Sequence, residues 1–186
     1  MDLTTHLPLE NPLPLTVLTM CLGLAAWANG LFFLGYGAEP AEGGAHPLKT
    51  VGWISLVGGV TAFGTVFYLL VSGGNFVAVA GLASLYALFF IVLGAVEIHG
   101  LDLKPVANIS IPIAVLSLPF LIFFDGLWLF QTVMVVWTVA FAAIAATVYG
   151  RLPANVLGWI LVVTAIWTFF LPAVVISLGI DLNLGF

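Results

Sequence analysis

Six apolar stretches alternate with short polar segments along the whole chain. A run of about 20 apolar residues is what an α-helix needs to cross the hydrocarbon of a bilayer. The pattern predicts crossings over residues 13–37, 48–72, 76–98, 106–123, 127–149 and 154–179. Gly73, Gly74 and Asn75 predict a tight turn, and AEPAEGGAHP at 38–47 predicts a loop. Pro112 and Pro119 fall inside the fourth stretch and Pro172 inside the sixth, where a proline kinks a helix and frees backbone carbonyls. Small-residue pairs (Ala26-x-x-x-Gly30, Ser55-x-x-x-Gly59, Gly58-x-x-x-Ala62) offer flat faces on which another helix can approach closely. The expected fold is an all-α integral membrane protein with six transmembrane helices. It divides into a short N-terminal segment (1–12), a helical domain (13–180) and a short tail (181–186).

Composition agrees. The 186 residues are 63% hydrophobic and 6% charged, against about 25% charged in soluble domains. Too little polar surface exists to cover a globule in water. The net charge of −5 arises from eight acidic and three basic residues, and no basic patch is present to neutralise phosphates, so nucleic-acid binding is not expected. No Lys or Arg precedes the first apolar run, so the basic region of a secretory leader is lacking and the first span is expected to be retained. Lys49, Lys104 and Arg151 all fall in loops on one side, whereas Asp2, Glu10, Asp125 and Asp181 fall on the other. By the positive-inside rule the basic side is cytoplasmic and both termini face outward.

Recognised catalytic signatures are missing: there is no H-E-x-x-H, G-x-S-x-G, P-loop or C-x-x-C. His6, His46 and His99 lie in loops or at helix ends, and Cys21 is alone, so neither a metal nor another cofactor is expected. These features shift the weight from enzyme to transport or scaffolding.

A resemblance gives this a direction. G-L-D-L-K-P at 100–105, followed by an apolar helix, resembles the turn between the third and fourth helices of the urea/amide channel family (AmiS/UreI). Asn29-Gly30, His46-Pro47-Leu48-Lys49 leading to Leu56-Val57-Gly58-Gly59, and Gly158-Trp159 with Thr168 and Pro172-Ala173 are similar to family patterns in the same order. The resemblance spans about residues 15–180. It implies a six-helix protomer with its own pore, assembled as a hexameric ring, that passes urea or short aliphatic amides down their gradient. Such a channel in a prokaryotic plasma membrane would supply a cytoplasmic amidohydrolase that does the catalysis.

The chain also departs from the family. Phe90 and Val92 stand where tyrosines are common in the third helix. Trp137 remains in the fifth helix, whereas Phe141 replaces another tryptophan, and Thr164 stands near a glutamate of the acid-gated member. The outward loops are short and lack histidine, leaving His6 as the histidine on that face. Gating by protons between pH 5 and 7 is therefore not expected.

Candidate pore residues follow from side-chain chemistry. Glu97 near the inner end of the third helix either lines water or pairs with Lys104 just past the hydrocarbon. Asn29 can donate to and accept from an amide, or bond between helices. Trp27, Phe90, Trp137, Phe141 and Trp167 offer aromatic faces for stacking planar amides, or pack and meet lipid. Thr164 and Thr168 lie one turn apart and offer hydroxyls, or bond their own i−4 carbonyls. Asp102 with Lys104 is expected to orient the loop, and Trp53, Trp128 and Trp159 to anchor helix ends at the interface. Two rival readings stand beside the channel. Asn11-Pro12-Leu13-Pro14-Leu15 echoes the entrance motif of the acetate/succinate permease family, and a non-transporting scaffold subunit would equally use the small-residue faces.

Overall fold

The structure is a computed structural model that describes residues 13–72 and 76–180. The N-terminal segment with His6, the turn at 73–75 and the tail at 181–186 lie outside the described residues. The elements are α1 (Leu13–Phe33), α2 (Leu48–Ser72), α3 (Phe76–His99), α4 (Lys104–Ser117), α5 (Phe120–Phe123), α6 (Trp128–Val148), α7 (Ala154–Thr164), a π-helical segment (Ala165–Phe170) and α8 (Leu171–Ser177). With α4–α5 and α7–α8 each forming one crossing, six helices among the described residues are long and apolar enough to span a bilayer.

Three boundaries depart from the sequence pattern, each for a local reason. The first helix stops at Phe33 rather than at 37, because Gly35 and Gly37 take positive φ and turn the chain back. The fourth crossing breaks ahead of Pro119. The proline has no N–H to offer the Val115 carbonyl, which accepts from the Leu118 N–H instead at 3.2 Å. Pro112 is kept inside α4. The sixth crossing widens rather than breaks. Pro172 cannot donate to the Thr168 carbonyl, and the turn before it winds with i→i+5 spacing, the Leu171 N–H reaching the Ile166 carbonyl.

Each helix packs against its neighbours in the chain, and α7, the π segment and α8 return to α1, so the crossings close into a ring. Glycines set the close approaches. A Cβ on Gly94 of α3 would sit 2.5 Å from the Gly52 carbonyl oxygen of α2, and one on Gly59 would sit 2.7 Å from the Ile91 nitrogen. Gly58 meets α1 at the Cys21 carbonyl, and Gly30 faces Gly158 and Val162 of α7. The outer faces carry exposed Trp53, Val57, Val71, Val139 and Trp159, apolar as a lipid-facing surface requires. Lys49, Lys104 and Arg151 lie at one end of the ring, the basic end, and Asp125 at the other. There α3 ends at Gly100, whose φ of +65° lets the Leu101 N–H return to the Val96 carbonyl. Asp102 then accepts from the Lys104 backbone N–H at 2.9 Å, so the GLDLKP turn is held by its own backbone.

Candidate functional site

Inside the ring is a cavity of about 240 Å³. Its wall runs from the basic end, where Phe33, Leu48, Leu103 and Val148 form the rim, to an aromatic floor near mid-depth. Asn29, Phe90, Glu97, Trp137, Phe141 and Thr164 line it, drawn from α1, α3, α6 and α7.

The floor is a stack of rings. Trp137 packs on Phe169 with centroids 5.3 Å apart and on Tyr86 at 4.0 Å; Phe141 meets Phe89 edge-on at 4.8 Å. Tyr86 sits behind the floor, buried, its hydroxyl 2.6 Å from that of Ser117 on α4. The indole N–H of Trp137 donates to the Thr168 hydroxyl at 2.7 Å, and Thr168 donates in turn to the Thr164 carbonyl at 2.7 Å. The π turn explains why Thr164 and Phe169 share this wall: the widened turn holds about one residue more than an α turn, which brings i and i+5 toward one face.

Polar groups gather on the opposite wall. The Asn29 amide nitrogen donates to the Ala25 carbonyl at 3.0 Å and to the Ser55 hydroxyl at 2.8 Å. A carbonyl can only accept, so this identifies which end of the amide is NH₂. Ser55 donates to Glu97 Oε2 over a long 3.4 Å. Asn29, Ser55 and Glu97 are 2%, 0% and 4% exposed, and they tie α1, α2 and α3 together. Burying such groups costs several kcal/mol without partners, on the order of 2–7 for an amide. The Gly52–Gly94 contact brings α2 close enough for Ser55 to serve as the bridge. Among the described residues Glu97 forms no ion pair, with Lys104 or any other cation. The Thr147 hydroxyl, on a residue that lines the same cavity, has no hydrogen-bond partner among them.

Three candidates, Trp27, Trp167 and Thr168, do not line the cavity. Trp27 packs on Phe170 with centroids 6.4 Å apart, and Trp167 donates to Thr132 at 3.0 Å beside Trp128, near the other end of the ring. Thr168 acts on the floor through Trp137. Val92 is 41% exposed and does not line the cavity. Ser55, Tyr86, Phe89 and Phe169 are part of the site without having been legible as such. Ser55 was visible only as a small residue for packing, and the sole hint of Phe169 was Pro172 three residues later.

The ring of six helices has solved counterparts. The chain superposes on a crystal structure of the urea channel from the human gastric pathogen Helicobacter pylori with a TM-score of 0.71, covering 89% of this chain and 98% of that one at 13% identity. A cryo-EM structure of the Helicobacter pylori urea channel in a closed state gives a TM-score of 0.65 and 17% identity, covering 88% and 97%. The chain shares the fold of that urea channel. No family model matches the sequence, and no curated protein does.

Proposed function

We propose that the protein is a passive channel for urea or short aliphatic amides, assembled as a homohexameric ring in a prokaryotic plasma membrane with both termini outward. It supplies a cytoplasmic amidohydrolase and carries out no catalysis itself. The observation that carries this reading is the cavity within a single chain, apolar and aromatic apart from Asn29, Thr147, Thr164 and Glu97. A planar, uncharged solute can exchange water for ring faces and a few hydrogen bonds, whereas an ion meets a dry wall that replaces none of its hydration. The shared fold with a urea channel supports the same reading. No Lys or Arg lines the cavity, which disfavours a path for acetate.

The step at the floor is stacking and sliding. Trp137 is held by Thr168 and braced by Tyr86, so passage depends on small movements of Phe89, Phe141 and Phe169 around a fixed indole. Opening does not depend on pH between 5 and 7. In the described part of the acidic end, the 124–126 turn carries Asp125 and no histidine.

Stopped-flow light scattering on proteoliposomes tests this with urea, acetamide, formamide, acetate and water. Urea or amide flux is expected, unchanged by outside acidification from pH 7 to 5. Uptake of acetate alone would point to a permease, and no flux from assembled oligomers would leave a scaffold.

A further inference from the structure

The cavity has used up nearly all of its own hydrogen-bond donors. Both N–H groups of Asn29 are committed to Ala25 and Ser55, the Trp137 indole to Thr168, and the Thr164 hydroxyl to the Ile160 carbonyl at 2.7 Å. Ser55 gives its proton to Glu97. On that wall, two oxygens of cavity-lining residues have no donor among the described residues: Asn29 Oδ1 and the second carboxyl oxygen of Glu97. Asn29 Oδ1 can only accept, and a carboxyl keeps acceptor capacity in either protonation state. Ser55 bonds both residues and so holds the two acceptors side by side on one wall.

We propose that Asn29 and Glu97, bridged by Ser55, form a subsite that binds the terminal –NH₂ of a solute and selects for solutes carrying one. This deepens the channel reading and rests on it for the solute's passage, but the subsite itself is a binding site with its own readout. The logic is a difference of affinities. A solute with N–H donors satisfies both oxygens, whereas one without them displaces water from two buried acceptors and returns nothing. A carboxylate has no N–H to offer to either oxygen. Shape adds little discrimination, since the surrounding wall is apolar and tolerant.

Isomeric solutes separate donor chemistry from size: propionamide carries –NH₂, and N,N-dimethylformamide has the same atoms and no N–H. Reconstituted full-length protein is perfused with each, and with urea and acetate, while infrared difference spectra are recorded. The Glu97 carboxyl band is assigned by its absence in Glu97→Gln. Urea and propionamide are expected to shift the band, and N,N-dimethylformamide and acetate to leave it. In flux, Asn29→Leu and Glu97→Leu are expected to slow urea about tenfold, the cost of losing one hydrogen bond to a polar or charged group. Equal shifts by all four solutes, or no shift while wild-type urea flux is intact, would overturn the subsite. A urea-specific shift without flux would keep the subsite and remove the channel; neither shift nor flux would remove both.

Discussion

Asn29 shows how much a single side chain depends on its neighbours. From sequence it is a group that both donates and accepts; in the structure both of its N–H bonds are taken, and its oxygen has no donor among the described residues. Ser55 decides this, because its hydroxyl accepts from Asn29 and donates to Glu97. Ser55→Ala removes both bonds and leaves an N–H and a carboxyl oxygen buried without partners. The expected loss is about 1–3 kcal/mol, read as a lower unfolding temperature in detergent. Ser55→Cys, close in size, is expected to lose less. Unchanged stability in Ser55→Ala would mean that water already bridges the pair. Glu97 follows the same logic. Its position near the end of an apolar run left open whether it pairs with Lys104, and what settles its surroundings is the approach of α2.

At the scale of the element, glycine and proline do the positioning. Gly94 lets α3 lie against the backbone of α2, and a methyl there would meet backbone at 2.5 Å, which no side-chain rotation relieves. Gly94→Ala is therefore expected to cost about 1–3 kcal/mol by overpacking and to part Ser55 from Glu97. Gly64, in the same α2, has open space within 4 Å of where a Cβ would sit, so Gly64→Ala is expected to be neutral or to stabilise by up to about 1 kcal/mol through helix propensity. Thermal unfolding of the two variants side by side checks the claim, since both make the same chemical change. Pro172 works differently. It was legible as a kink, but the relief takes the form of a widened turn, and that turn carries Phe169 onto the wall already holding Thr164.

For the whole molecule, the ring closes because α7, the π segment and α8 pack back on α1, and its cavity opens toward the end that carries Lys49, Lys104 and Arg151. In the proposed orientation, which rests on the positive-inside rule, that end is cytoplasmic. In a Cys21→Ser background, a maleimide that cannot cross membranes is expected to label Asp125→Cys on intact cells, and Lys49→Cys only after permeabilisation. The reverse pattern would invert the proposed orientation and put the cavity on the outer side.

Hydrophobic pattern alone determined that six helices cross a bilayer, roughly where they begin and end, and which side holds the cations. Each of these follows from local free energies: transfer of apolar residues into hydrocarbon, the cost of an unsatisfied backbone there, and the cost of moving Lys or Arg across. Six of the nine candidate pore residues lie on the cavity wall, because polar and aromatic residues within apolar spans are conspicuous one at a time. Tertiary structure decided the rest. Trp27 and Trp167 face away, Tyr86 and Phe169 build the floor, and Ser55 turns two separate polar residues into one wall of acceptors. The physical reason is that a hydrogen bond between helices depends on their separation and rotation. The Ser55 bonds join residues 26 and 42 positions apart in the chain. Their geometry is set by the Gly52–Gly94 approach, which lies outside the small-residue pairs legible in the sequence, and that of the floor by the extra residue in one turn.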